Sequence, residues 1–365
     1  MNSDELYGSF TAEEYFYNAC LLLIASLGFI LCTFVTIGLA KSKTFNPSGI
    51  MVLSFIINGF LLCIYFIVIL TANLIVGHFA FGQKSCEGIL GSLFLGLEAA
   101  IFFNIIVMVL NLYLVIIHRI KTTLSMVRTQ VVILWVSAIA VAAGGHVFNS
   151  NNQYVLKLNP SKTVCTINWA DKHQETLVDI YIALGMITFF IAFVSFVYAS
   201  IFWLYFKKNR EVQNSWLFLT DNERKLFFRT SSICLCFFLF WSTYIVLIIS
   251  ELISSQRSTA LFDAIAILSA GFFHLSTPMV IIFQDPNIRS EMYGMLGIKP
   301  QTMSTIETRI KSSFYQIPLY RSETESSDPE VTTFETPPLD IPASMFDSIQ
   351  GNAVLITVNN DSSRN

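Results

Sequence analysis

Charged residues are scarce in this chain. They make up 13% of its 365 residues, whereas a soluble domain carries about 25%. The mean hydropathy is +0.60, and 33 residues are phenylalanine, far more than a small soluble core needs. The scarcity of charge argues against an ordinary soluble domain and indicates a chain that is solvated mostly by lipid.

The apolar segments also lack the residue groups that catalysis or ion transport requires. Glu98 is the one carboxylate deep inside such a segment, and no two histidines stand four residues apart as in a helical zinc site. We therefore predict that the protein is not an enzyme and holds neither a metal ion nor a cofactor. A transporter usually shows inverted repeats or several intramembrane charges. Neither is evident, but a seven-helix transporter stays open as an alternative.

A basic segment before the first apolar run is missing too, so we expect this run to act as a signal anchor rather than a cleaved signal peptide. What the chain has instead is seven apolar stretches that could each cross a bilayer. The apolar core of a bilayer is about 30 Å thick and needs roughly 20 helical residues, whereas barrel strands are shorter and alternate with polar residues. The sequence predicts an all-α membrane protein with a seven-transmembrane helix bundle. The stretches run over 17–40, 48–76, 86–117, 127–148, 177–206, 224–254 and 260–283.

Lysine and arginine cluster on alternate loops, as at Lys41, Arg119 and Lys207. By the positive-inside rule these loops are cytoplasmic, which puts the N-terminus outside and the C-terminus in the cytoplasm. We divide the chain into an extracellular segment (1–15), a transmembrane domain (16–296) and a cytoplasmic tail (297–365). The expected location is the plasma membrane.

Two of the seven cysteines, Cys86 and Cys165, lie on the extracellular side of this topology. Cys86 starts the third stretch, and Cys165 lies in the loop between the fourth and fifth. Because an oxidising exterior permits disulfides, we predict that these two are bonded; two unpaired thiols are the alternative. The other five cysteines lie inside helices as apolar fillers.

The segment after the seventh stretch predicts a short eighth helix. Asp285 followed by Pro286 is typical of an N-cap with proline at the first helical position. Ile288, Met292 and Met295 share one face, which indicates an amphipathic helix on the inner leaflet. The tail beyond it is rich in Ser, Thr, Glu and Pro and is predicted to be disordered.

Several local motifs occur in a fixed order along the seven stretches. The order and spacing of these motifs resemble the rhodopsin-like (class A) family of G-protein-coupled receptors, which implies that family's fold and its signalling through a heterotrimeric G protein. The motifs are Phe79-Ala80-Phe81-Gly82 before Cys86, Trp135 in the fourth stretch, Tyr198 in the fifth, Phe237, Trp241 and Tyr244 in the sixth, and Thr277-Pro278 in the seventh.

The chain departs from that family at positions that matter for signalling. Asn111-Leu112-Tyr113 stands where the family has Asp/Glu-Arg-Tyr, so the arginine is replaced by Leu112. Gly96-Leu97-Glu98, twelve residues past Cys86, looks like the visual opsins, but Gly271 occupies the position of their retinal-binding lysine. A Schiff-base photopigment is therefore not expected. Two readings stay open: altered switching, or a retained fold that has lost its coupling.

The resemblance implies a ligand site formed by Glu98, Trp241, Tyr244 and His274, and a switch formed by Phe237, Trp241, Pro278 and Tyr198. Each has a simpler alternative. Glu98 could be a neutral side chain that bonds a neighbouring helix, with His274 as its partner or as a core histidine. An aromatic stripe could be core packing, and a proline could make a static kink.

Five residues are expected to face the G protein: Tyr113, His118, Arg119, Glu223 and Arg224. Glu223 occupies the place of an acidic partner for the missing arginine, so we expect it to pair with Arg119, with Arg224 or with nothing. Solvated loop charges are the alternative.

The leading hypothesis is a plasma-membrane receptor with three partners: membrane lipids, a small extracellular ligand and a heterotrimeric G protein. No nucleic-acid partner is expected. A transporter, or a non-coupling protein that binds a lipid or retinoid, is the alternative.

Overall fold

The computed structural model describes residues 7–41, 47–148, 156–170, 174–211 and 220–297. Within them, seven helices are long and apolar enough to cross a membrane, which confirms the predicted seven-helix bundle. The predicted disordered tail lies almost entirely outside the described residues. The helices are α1 Ala12–Lys41, α2 Pro47–Val76, α3 Gly82–Ile116, α4 Leu124–Phe148, α5 Gln174–Glu211, α6 Asp221–Ser254 and α7 Ala260–Gln284.

The helices begin where side chains satisfy free backbone amides. In α1 the Glu14 carboxylate accepts from the Thr11 amide at 2.7 Å, and the Thr11 hydroxyl accepts from the Glu14 amide at 3.3 Å. This capping box starts α1 five residues before the apolar stretch. Thr220 and Glu223 form another capping box at α6.

The predicted eighth helix, α8, runs over Pro286–Met295. Asp285 caps it, because its carboxylate accepts from the amides of Asn287 and Ile288. Ile288 is buried against Gly38 of α1, where an added Cβ atom would lie 3.1 Å from the Ile288 side chain. The apolar face of α8 therefore packs partly on the bundle. We name this end of the bundle the α8 end.

A short antiparallel hairpin, which the sequence did not predict, lies at the other end. Its strands are β1 Leu156–Leu158 and β2 Cys165–Ile167, with Leu156 opposite Ile167 and Leu158 opposite Cys165. Cys165 is bonded to Cys86 of α3, which confirms the predicted disulfide. We name residues 156–169 the hairpin segment and this end of the bundle the hairpin end.

Helix α3 is the central helix of the bundle and packs closely on α4. An added Cβ atom at Gly96 would lie 2.6 Å from the Ala142 methyl group and 3.1 Å from the Ala138 carbonyl oxygen. Small residues at such crossings let membrane helices approach each other closely. Polar bonds join the same region: the Trp135 indole donates to Ser54, whose hydroxyl donates to Asn104.

One turn of α3, Cys86–Leu90, is π-helical. A π-turn holds one residue more than an α-turn. Gly91 follows it, and an added Cβ atom there would lie 2.8 Å from the Cys86 carbonyl oxygen and 3.1 Å from Leu156. Glycine thus allows α3 to pass close to the hairpin segment.

Candidate functional site

A cavity of about 180 Å³ lies among α3, α5, α6 and α7, beneath the hairpin segment. Its lining is almost wholly apolar. All four predicted ligand-binding residues, Glu98, Trp241, Tyr244 and His274, line it. The structure therefore brings together side chains that stand as far apart in sequence as α3 and α7.

Polar groups in the cavity are few, and three lack partners within the described part of the chain. These are the buried Oε2 atom of Glu98 and the indole nitrogens of Trp169 and Trp241. Glu98 and His274 are 9% and 6% exposed, and no hydrogen bond joins them. Of the two alternatives for His274, a partner of Glu98 or a core histidine, the structure does not show the pairing with Glu98, which keeps a free acceptor.

The predicted switch residues Phe237 and Trp241 sit in an aromatic cluster at the cavity. Their rings are stacked with centroids 5.3 Å apart. Phe102 of α3 contacts both rings edge-on, at 5.3 Å and 5.2 Å. Phe190 of α5 and Phe273 of α7 contact Phe237 at 5.1 Å and 5.4 Å. A shift of the Trp241 ring would therefore change packing contacts with α3 directly and with α5 and α7 through Phe237.

Sequence reasoning missed Phe102, Phe190 and Phe273, because nothing distinguishes three phenylalanines among 33.

Tyr244 connects α6 to the hairpin segment. Its hydroxyl lies 2.9 Å from the Thr166 hydroxyl in β2, next to the disulfide. Thr166 also lines the cavity and was not predicted. Because α6 and the hairpin segment share this bond, a ligand that displaces either one also affects the other.

The other predicted switch residues lie away from this cluster. The Tyr198 hydroxyl approaches Ser231 and Cys234 of α6, nearer the α8 end. Pro278 lies inside α7, where the hydroxyls of Ser276 and Thr277 donate to the Phe273 carbonyl at 3.0 Å and 2.9 Å. The structure therefore divides the proposed switch between two levels of the bundle.

Gly271, which the sequence resemblance places at the opsin lysine position, lines the cavity. An added Cβ atom there would lie 3.0 Å from Leu21 of α1. A side chain at this position would therefore crowd Leu21 of α1.

The tip of the hairpin segment is buried and polar. The Asp263 carboxylate of α7 accepts from the Asn159 side-chain amide and, at 3.0 Å, from the Ser161 backbone amide. Lys162, which is 4% exposed, forms an ion pair with Glu14 of α1 at 3.3 Å. These contacts, which were not predicted, attach the tip to α1 and α7.

Two further groups cover the hairpin segment. Arg257, in the connection between α6 and α7, donates to the Leu158 carbonyl at 2.9 Å and to Asn168 at 3.0 Å. Tyr7 packs beside it from the N-terminal side. Burial, followed by the nearby Glu87 carboxylate, raises the pKa of Tyr7 to about 12. Its phenol is therefore neutral at physiological pH.

The five residues predicted to face a G protein lie at the α8 end, where α3 ends and α6 begins. Glu223 pairs with Arg119 at 2.9 Å, one of the three outcomes expected from sequence. Tyr113 and His118 are in edge-on contact with ring centroids 5.1 Å apart, and Arg224 is half-buried at the start of α6. Four of the five residues therefore form two contacting pairs, Arg119 with Glu223 and Tyr113 with His118.

Leu112 of α3, which the resemblance places at the family's arginine position, is fully buried. Its neighbour Asn111 turns toward α4, where its side-chain amide donates to Gln130 at 2.7 Å. Arg119 is therefore the guanidinium that joins the end of α3 to α6. Its backbone has φ 57°, which bends the chain there.

A second ion pair at this end was not predicted. Arg229 of α6 contacts the Asp285 carboxylate at 3.2 Å, and Gln284 donates to Ser232 of α6 at 2.7 Å. The S/T-x-x-E pattern at Thr220 signals the α6 cap, but nothing local signals a pair 56 residues apart.

Comparisons with known proteins bear on the family and the fold of the chain. Residues 28–280 match the family model of the 7 transmembrane receptor (rhodopsin family). Among solved structures, that of squid rhodopsin is similar, with a TM-score of 0.64 and 14% sequence identity over 81% of this chain and 89% of that chain. That identity is low enough for the likeness to show the fold alone. No curated protein matches the chain significantly.

Because the family match covers well over half of the sequence, the chain belongs to the rhodopsin family of seven-transmembrane receptors.

Proposed function

We propose that this receptor detects a small extracellular ligand in the cavity and signals across the plasma membrane to a heterotrimeric G protein. In this orientation the hairpin end faces outside and the α8 end faces the cytoplasm. The observation that carries the proposal is the cavity itself, where the free acceptor of Glu98 and the free donor of Trp241 lie on helices α3 and α6.

The ligand would act by binding one state of the bundle more tightly than the other, since only differential affinity shifts an equilibrium. A group that bonds Glu98 and presses on Trp241 would rearrange the stacked pair of Trp241 and Phe237. Phe237 contacts α3, α5 and α7 through its ring neighbours. Packed aromatic clusters of this kind are suited to two discrete arrangements.

The signal would leave through the α8 end. Two ion pairs hold α6 there, Arg119–Glu223 and Arg229–Asp285. We propose that they hold α6 in its closed position in place of the arginine that Leu112 replaces, and that opening of α6 exposes Tyr113, His118 and Arg224 to the G protein. The Arg119–Glu223 pair is solvent-exposed and is worth about 0–1 kcal/mol, so modest ligand energy suffices to break it. The Arg229–Asp285 pair, whose side chains are 14% and 21% exposed, should cost more to break.

A receptor that binds ligand without coupling is the second candidate, and the buried Leu112 favours it. No lysine lines the cavity within the described residues, and the resemblance places Gly271 at the opsin lysine position. We therefore propose that any ligand is held without a covalent bond.

The test is guanine-nucleotide exchange on a panel of G-protein α subunits with the full chain in nanodiscs, with and without a library of small apolar compounds. Trp241→Phe is the probe variant, and Trp203→Phe, which alters an indole that is 71% exposed on the outside of α5, is the matched control. Ligand-dependent exchange that falls in Trp241→Phe alone supports the receptor. Exchange that never rises with any compound in a folded sample favours the non-coupling candidate.

A further inference from the structure

The cavity reaches the lipid-facing surface of the bundle on one side. Phe189 and Met186 of α5 line it, although their side chains are 62% and 40% exposed. Val141 of α4, which is half-buried, lines the same side. Within the described residues α5 packs mainly on α3. The cavity is open to acyl chains on the side where Val141 of α4 and the exposed Phe189 of α5 line it.

At the hairpin end, unlike the side between α4 and α5, the cavity is covered by the hairpin segment. Leu156, Thr166 and Trp169 of the hairpin segment lie over the cavity. The disulfide, the Asp263 bonds and the Lys162–Glu14 ion pair attach this segment to α3, α7 and α1. A ligand that entered from this end would have to displace the hairpin segment and break these three attachments together.

The size of the cavity limits what can be buried in it. An apolar cavity of about 150 Å³ in another protein holds a single benzene ring. The volume here, about 180 Å³, accommodates a group of similar size. A longer molecule must therefore extend through the opening between α4 and α5.

The lining also limits the charge of the ligand. Glu98 is its one carboxylate, and the lining residues in the described part of the chain include no lysine or arginine. An anionic headgroup would lie beside Glu98 without a counter-ion. A cationic headgroup would lose hydration that a single buried partner often fails to offset. A neutral hydroxyl or amide can use the free acceptor of Glu98 without either penalty.

We infer that the ligand is a neutral amphiphile, dissolved in the bilayer, that reaches the cavity sideways between α4 and α5. Its hydroxyl or amide head binds Glu98 beside Trp241, and its hydrocarbon tail lies along Phe189 and Met186. This inference rests on the proposed function for its purpose, but binding and access can be measured without a G protein.

The experiment follows the fluorescence of Trp241 in the full chain in nanodiscs, as the difference between wild type and Trp241→Phe. One quencher is dibromo-octadecanol, a neutral alcohol added to the bilayer, and the other is iodide in the aqueous phase. Val141→Phe narrows the opening with an apolar side chain. Val132→Phe, on the outside of the same helix where Val132 is 61% exposed, is the matched control, and Phe189→Ala widens the opening.

We expect the bromoalcohol, and not iodide, to quench the Trp241 signal. We expect the onset to be several-fold slower in Val141→Phe, unchanged in Val132→Phe and faster in Phe189→Ala. Quenching by iodide, no quenching by the bromoalcohol, or equal onset in the variants would each overturn the inference. If Val141→Phe does not fold, the comparison of the two quenchers and the onset in Phe189→Ala still test the inference.

The two proposals can fail separately. If the bromoalcohol quenches Trp241 as expected but nucleotide exchange never rises, the proposed G-protein coupling is wrong and the entry route and ligand class are supported. If a water-soluble compound drives exchange and the bromoalcohol does not quench, the coupling is supported and the entry route and ligand class are wrong.

Discussion

Asp263 supports the clearest quantitative prediction, because one oxygen of its carboxylate accepts two hydrogen bonds from the hairpin tip. Both the Asn159 side-chain amide and the Ser161 backbone amide donate to Oδ2. Replacement by alanine removes this acceptor. The Asn159 side-chain amide keeps its bonds to the hydroxyls of Ser161 and Thr163. For Asn159, therefore, the substitution costs about one ordinary hydrogen bond. The buried Ser161 amide is left without that acceptor.

The expected loss follows from these two terms. A lost hydrogen bond costs about 1 kcal/mol, and a buried donor without a partner costs about 1–3 kcal/mol. The Asp263→Ala variant should therefore lose about 2–4 kcal/mol of unfolding free energy. For a domain of this size that corresponds to a fall in melting temperature of about 4–16 °C.

Asp263→Asn is the matched control for this prediction. Its carbonyl oxygen can take the place of Oδ2 and accept both bonds, so its melting temperature should stay near wild type. A thiol-reactive dye can follow unfolding through the buried Cys32, Cys63 and Cys234. If Asp263→Asn loses as much stability as Asp263→Ala, the negative charge and not the acceptor holds the tip, and the reasoning above is wrong.

Three further predictions concern helix packing, the α8 end and the disulfide. Gly96→Ala should lower the melting temperature because its methyl group would meet Ala142 at 2.6 Å, and adding Ala142→Gly should restore much of the loss. Glu223→Gln should raise ligand-free nucleotide exchange because it weakens the Arg119 pair, and Arg119→Gln should add little to it. Cys165→Ser opens a link across 79 residues and should cost about 4–5 kcal/mol by chain entropy, seen as a lower melting temperature that reductant no longer changes.

Each of these has a result that would count against it. Equal melting temperatures for Gly96→Ala and wild type would mean that α3 and α4 can separate freely. A rise in exchange for Lys225→Gln, an exposed neighbour on α6, equal to that of Glu223→Gln would point to general charge and not to the ion pair. Wild type that loses no stability in reductant would show that the disulfide is not needed for stability.

The seven spans could be predicted because lipid imposes one simple requirement, about 20 apolar residues in a helix. The ends were less predictable. Helix α1 begins at Ala12, before the apolar stretch, because Thr11 and Glu14 cap it. The three-residue strands of the hairpin carry no signal of their own, because tertiary contacts and the disulfide, not local propensity, fix them.

The cavity that holds the proposed ligand site could be predicted as a set of lining residues but not as a geometry. Counting from Cys86 places Glu98 in register only approximately, since the π-turn after Cys86 inserts an extra residue and turns the rest of α3 by about 100°. The pair Arg119–Glu223 depends on the positive φ at Arg119. Sequence offers two possible partners for Glu223, Arg119 and Arg224, or none, and only the fold of the loop selects Arg119.

Asp285 serves two helices with one carboxylate. Its Oδ1 atom accepts from the first amides of α8, and its Oδ2 atom accepts from Arg229 of α6. If α6 opens as proposed, the carboxylate loses its contact with Arg229 and keeps only the bonds that cap α8. The start of α8 would then be held less rigidly, so the conformation of α8 would respond to the position of α6.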